Sequence, residues 1–206
     1  MKIIEQGYEI LDLPNKGISI LEVAGRTCYQ SQDKITPESS EKFVKMLKDR
    51  GHHAMLEFGN ITVKFKTNRG VTHELVRHRM CSFAQESTRY VRYDGTMEFI
   101  RPVWTNPILS ENKFDNITIA ELIWATSMRK AEEDYKKLLN NKWRPEQARE
   151  LLPNSLKTEI VVMANLREWG HIFDLRCSTK AHPQMSSLMI PLRDELRTIL
   201  PVIFDS

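Results

Sequence analysis

A chain of 206 residues is long enough to bury a core and short enough to form one domain. With 41% hydrophobic and 28% charged residues it reads as an ordinary globular protein, which excludes a disordered or membrane-spanning chain. A formal net charge of +3 does not demand nucleic acid but suits local basic clusters that hold small anions.

At the N-terminus, Glu5 follows Met1 too closely for a signal peptide. Cys28, Cys81 and Cys177 lie far apart with no Cys-x-x-Cys, which argues against a disulfide framework or thiolate metal site. A cytoplasmic protein is expected. Pro14-Asn15-Lys16-Gly17 signals a turn before the apolar run Ile18 to Leu21. Gly25-Arg26-Thr27-Cys28 begins either a short helix or a ligand-facing loop. Thr36-Pro37-Glu38 predicts a helix start, with Phe43, Val44 and Leu47 buried and Gly51 as the stop. Ile61 to Lys66 alternates with Ile61, Val63 and Phe65 on one face, a half-buried strand. Asn68-Arg69-Gly70 breaks it, and Val71 to Arg79 reads as a helix carrying His73/Arg77 and Glu74/His78 as two stripes.

Thr88 to Tyr93 reads as extended, and residues 101–117 as loop. Ile119 to Leu139 predicts a long helix with Leu122, Ile123, Tyr135, Leu138 and Leu139 inward. Glu132/Lys136 and Glu133/Lys137 are its expected solvent-side pairs. Arg144-Pro145-Glu146 starts another helix that ends near Pro153. Thr158 to Ala164 suits a strand or a buried helix equally. Asn165 opens a helix running to Arg176. Pro183 opens the last one, with Met185, Leu188, Met189, Leu192, Leu196 and Ile199 apolar and a kink expected at Pro191. Without internal repeats, the pattern predicts a single α+β domain over residues 1–206, a β-sheet flanked by helices.

The densest chemistry lies in Arg77-His78-Arg79-Met80-Cys81-Ser82-Phe83-Ala84-Gln85-Glu86-Ser87-Thr88-Arg89-Tyr90. Arginine forks and serine hydroxyls match phosphate and carboxylate, and Phe83, Ala84 and Tyr90 interrupt the charges as a pocket wall does. A solvated basic surface is the plainer alternative. Ser87 lacks a Gly-x-Ser-x-Gly elbow, so a hydrolase nucleophile is not expected. Cys81 stands near arginines that could lower its pKa, though a small buried apolar role is the stronger reading. His52, His53, His73 and His78 lack metal-ligand spacing, and no metal is expected. Downstream, Arg149, Asn165, Arg167, His171 and Arg176 form a second polar set consistent with an anion-binding wall.

Arg77-His78-Arg79, then Ser87 after seven residues, then Arg89-Tyr90, resembles the signature of the flavin-dependent thymidylate synthases. Gly51-His52 with Glu57-Phe58, Arg149 with Leu152-Pro153, Asn165-x-Arg167, Leu175-Arg176 and His182-x-Gln184 follow in that family's order. The resemblance implies the family's α+β fold in a homotetramer, with FAD and dUMP bound between subunits. By analogy His52, Arg77, His78, Arg79, Gln85, Asn165, Arg167 and His171 contact flavin. Glu74, Gln85, Ser87, Arg89, Arg149 and Arg176 would hold the nucleotide. Glu74 stands where glutamine is common, and Gln85 where several members carry glutamate.

The implied reaction is a methyl transfer that converts dUMP to dTMP with 5,10-methylenetetrahydrofolate as methylene donor. FAD, reduced by NADPH, would supply the hydride. Arg176 and Ser87 are the implied catalytic residues. Arg176 would stabilise charge developing on the pyrimidine, and Ser87 would hold substrate more than attack it. The rivals are a phosphate- or RNA-binding regulatory protein and a flavoprotein acting on another nucleotide.

Overall fold

The computed structural model describes residues 1–14 and 17–205; Asn15 and Lys16, in the turn expected after Pro14, lie outside the described residues. The strands are β1 (Lys2–Ile4), β2 (Gly7–Asp12), β3 (Asn60–Asn68), β4 (Ser82–Gln85), β5 (Glu98–Ile100) and β6 (Lys157–Asn165). The helices begin with α1 (Ser19–Cys28), α2 (Ser39–Asp49), α3 (Arg69–Leu75) and α4 (Ile119–Asn140). They continue with α5 (Pro145–Ala148), α6 (Leu166–Arg176), α7 (Pro183–Ile199) and α8 (Pro201–Phe204). The class is α+β, as expected. β1 pairs in parallel with β5, Ile3 opposite Phe99, and a second sheet has the order β2-β3-β6-β4.

The chain packs as two compact units. The first comprises Met1–Gly7, Phe65–Arg77 and Ala84–Ile160. Its core gathers Met97, Phe99, Met128, Tyr135, Leu139, Ala148 and Leu156, so α4 closes over the β5 segment. The second comprises Tyr8–Lys64, His78–Phe83 and Val161–Ser206. There α1 packs on α2, α6 on α7, and α8 on both α2 and α7.

Burial along β3 alternates as predicted, with Ile61, Val63, Phe65 and Thr67 inward. β6 resolves the open choice at Thr158–Ala164. Thr158, Ile160, Val162 and Ala164 are buried at period two, and three consecutive β-branched residues favour the strand.

Several elements differ from expectation. Asn68 caps α3 by accepting the Val71 N–H at 2.8 Å, and the helix ends at Leu75. Arg77 and His78 lie beyond its end, so neither expected stripe forms. A short strand, β4, occupies Ser82–Gln85, whereas Thr88–Tyr90 is a turn in which Tyr90 and Val91 donate to the Ser87 carbonyl. On α4, Tyr135 and Leu139 are buried, but Leu122 and Ile123 are 48% and 60% exposed. Glu132 is buried instead of solvated, accepting from the Met97 N–H and Lys136 Nζ. Lys137 pairs with Asp134 in place of Glu133. Ile199, expected on the apolar side of α7, is exposed.

Gly25 lies inside α1, where a Cβ would meet Phe43 at 2.7 Å and Leu47 at 2.9 Å, so α1 and α2 approach closely there. α2 begins at Ser39 and not at Thr36, whose N–H donates to the Ser39 hydroxyl at 2.9 Å. Glu22, fully buried on α1, accepts from Arg26 at 2.6 Å, while the Ser39 and Ser40 hydroxyls reach it at 2.7 Å. Burial works against the Glu22 carboxylate, but these donors hold it below its usual range. Its contribution to stability is present above the unfolded carboxylate value and is lost as pH falls. Glu22→Ala strands Arg26 and both serines, and chemical denaturation should show a loss of about 3 kcal/mol.

Candidate functional site

In the second unit β6 runs straight into α6, and Asn165 marks the junction. Its Oδ1 accepts the Glu168 N–H at 2.8 Å, a side-chain N-cap. One face of α6 is anchored by buried Trp169, whose Nε1 donates to the Ile61 carbonyl of β3 at 3.1 Å. Phe173 packs beside it at 5.7 Å between ring centroids. With that face fixed, Arg167, Glu168, His171 and Arg176 are held at set positions along the helix.

His78 folds inward onto this helix and is only 6% exposed. Its Nε2 accepts from Arg176 Nε at 3.0 Å, and its Nδ1 stands 3.4 Å from Glu168 Oε1. The His171 ring meets it edge-on at 5.9 Å. Burial pushes the His78 imidazole below its ordinary pKa, the adjacent Arg176 guanidinium pushes the same way, and Glu168 opposes both. A neutral ring that accepts at Nε2 carries its proton on Nδ1, facing the carboxylate. The donor atoms of His78, Glu168 and His171 lie within 4.8 Å of one another, as metal ligands do. Here, however, the His78 lone pair is committed to a guanidinium, so the cluster reads as a relay and not as a cation site.

The same unit holds a cavity of about 630 Å³ lined by Lys48, Arg167, His171, Phe173, Arg193 and Arg197, among others. Arg167 is paired with Glu57 at 2.7 Å. Lys48 Nζ donates to the Ile203 and Asp205 carbonyls, and Arg197 Nε to the Phe204 carbonyl, tying down α8. Burial lowers the Lys48 pKa against the pull of Asp49 and Asp205. Four cations, with Asp174 and Asp205 beside them and apolar walls, give one cavity able to take an anionic ligand.

His52, Arg79, Asn165, Arg167, His171, His78 and Arg176 all belong to the second unit, with His52 and Arg79 exposed. The first unit holds Glu74, Arg77, Gln85, Ser87, Arg89 and Arg149. Gln85 Nε2 donates to the Thr72 and Thr158 hydroxyls at 2.9 and 3.3 Å. Ser87 Oγ accepts the Arg89 N–H at 3.3 Å, and the Arg89 guanidinium lies 5.4 Å from the Tyr90 ring centroid. Arg77 is exposed, Glu74 is half-buried, and half-buried Arg149 stands 3.8 Å from Glu150.

The sequence reading missed Glu168, whose spacing after Asn165 resembles ordinary helix capping. It also missed the cations Lys48, Arg193 and Arg197, which only the packing of α2, α7 and α8 brings to one cavity.

Cys81 follows the stronger of its two readings, an inert and partly buried thiol. Burial, helped by Glu168, pushes its thiol up to about 12, so the nearby arginines do not activate it. At pH 8 its thiolate fraction is on the order of one in ten thousand. Iodoacetamide at that pH should label exposed Cys28 at least tenfold faster than Cys81, as read by peptide mass spectrometry.

A family model described as thymidylate synthase complementing protein matches residues 9–202. The flavin-dependent thymidylate synthase of Corynebacterium diphtheriae is 34% identical over 195 residues, covering 90% of this chain and 77% of that one. The enzyme of that name from Corynebacterium efficiens is 32% identical, covering 90% and 78% of the two chains. Its counterpart from Mycobacterium marinum is also 32% identical, covering 91% and 78%. A match that takes in both packed units, the Arg-His-Arg segment and α6 settles the kinship: the chain belongs to the thymidylate synthase complementing protein family.

Proposed function

We propose that this protein is a flavin-dependent thymidylate synthase that methylates dUMP to dTMP, with 5,10-methylenetetrahydrofolate as the carbon donor, FAD as cofactor and NADPH as reductant. The observation that carries the reading is Arg176 in the grip of His78. It is a guanidinium from the second polar set, hydrogen-bonded to the histidine of the Arg-His-Arg signature.

The cavity in the second unit suits an anionic ligand, with Lys48, Arg167, Arg193 and Arg197 in its lining, and FAD carries a diphosphate. Arg167, His171, Asn165, His52, His78 and Arg79 are the residues from that unit assigned to FAD, with Arg77 and Gln85 completing the set. When bound, FAD supplies the hydride that completes the methyl group.

The chain's own residues bind, orient and polarise. Arg176 is assigned to the pyrimidine, where its charge favours electron density gathering towards C5 and the ring oxygens. Ser87, Arg89 and Arg149 supply hydroxyl and guanidinium donors for the nucleotide phosphate, and Glu74 is assigned to the nucleotide as well. The Ser87–Arg89 turn presents these donors on adjacent backbone, already ordered by its own hydrogen bonds.

A homotetramer and a cytoplasmic setting complete the proposal. The setting is supported by three free cysteines, which suit a reducing compartment. No described helix is long and apolar enough to cross a membrane.

The test is release of the C5 hydrogen from labelled dUMP, with FAD, NADPH and methylenetetrahydrofolate each omitted in turn. Release should require the first two. Arg176→Ala should lower kcat about a hundredfold while keeping its flavin absorbance. Normal turnover in that variant would remove the role given to Arg176.

A further inference from the structure

We infer that Glu168 is a positioning residue: it fixes the tautomer of His78 and, through His78, the orientation of the Arg176 guanidinium. The inference rests on the role proposed above for Arg176 and deepens it. No residue of the signature stretch includes Glu168. Its backbone N–H donates to Asn165 Oδ1, while its carboxylate stands against the His78 ring.

Three observations define the arrangement. Arg176 Nε donates to His78 Nε2, which must therefore carry a lone pair and not a proton. The remaining ring proton then sits on Nδ1, and Glu168 Oε1 is the acceptor it meets at 3.4 Å. Glu168 and Arg176 stand eight residues apart on α6, just over two turns, and the buried imidazole spans the gap between them.

A ring free to adopt the other tautomer would turn an N–H towards the guanidinium and lose the bond. The charged and titratable groups facing the His78 ring are Arg176, Glu168 and His171 on α6, and Glu168 also acts on the Cys81 thiol. Protonating His78 at low pH has the same effect as the wrong tautomer, since Nε2 then donates towards a cation. The Glu168 charge favours that protonation, so removing it should move the acid limb of turnover to lower pH.

The first test uses the wild-type protein with ¹⁵N-labelled histidine, His78 being assigned by its loss in His78→Gln. The proposal expects the Nδ1–H tautomer at neutral pH; an Nε2–H ring overturns it without any assay of turnover. The second measures kcat against pH. Glu168→Gln, which keeps an acceptor but not the charge, should lose about threefold in kcat and move the acid limb down by roughly half a unit or more. Glu168→Leu, which removes the acceptor, should lose tenfold or more in kcat, with KM for dUMP within twofold and flavin retained. Wild-type kcat and acid limb in both variants would overturn the proposal. If Arg176→Ala turns over normally, the role of Arg176 falls, yet the His78 tautomer compared between wild type and Glu168→Leu still reports on Glu168.

Discussion

The hydrogen bond from Arg176 to His78 can exist only while the imidazole is buried and neutral, and much of the second unit serves that condition. Trp169 anchors α6 to β3 through the Ile61 carbonyl, which fixes where Glu168, His171 and Arg176 stand. Asn165 starts the helix at a defined residue, so the register of those side chains is set at the strand junction. Burial alone would favour a neutral ring but leave its tautomer undecided. A carboxylate on one side and a guanidinium on the other decide it.

Glu22 obeys the same rule on the far side of chemistry. It is buried and charged, yet it survives because Arg26, Ser39 and Ser40 all converge on one carboxylate. The two clusters differ in what they join. At Glu22 the Ser39 and Ser40 hydroxyls tie α2 to α1, while Arg26 braces the carboxylate from one turn along α1 itself. At His78 the cluster joins a loop histidine to two side chains of α6, Glu168 and Arg176.

What could be read from the sequence follows from how local each signal is. The alternation in β3, the helix starts at Asn165 and Pro183, and the length of α4 are properties of neighbouring residues, and the structure carries them as expected. The end of α3 is less legible: nothing in Val71 to Arg79 marks Leu75 as its last helical residue. Glu132 was misjudged as well. Its spacing to Lys136 fits a solvent pair, and that pair does form, but the Met97 N–H also draws the carboxylate inward. The candidate site shows the same limit: the arginines and histidines stand out as residue types, while Glu168 gains meaning only from a ring ninety residues away in sequence.

The distribution of the site residues sharpens the division of labour. The residues assigned to flavin fall mainly in the second unit, and those assigned to the nucleotide fall mainly in the first. Arg176 is the exception, a nucleotide residue carried on the helix that carries Asn165, Arg167 and His171. That placement makes α6 answerable to both ligands. On the roles proposed above, a displacement of the helix would alter the flavin donors and the polarising guanidinium together, whereas a change confined to the Ser87–Arg89 turn would alter phosphate recognition alone. The physical reason to tie Arg176 to its own helix through His78 and Glu168 is then clear. A guanidinium on a long side chain samples many rotamers, and a relay anchored at both ends to α6 limits it to the few compatible with the buried ring.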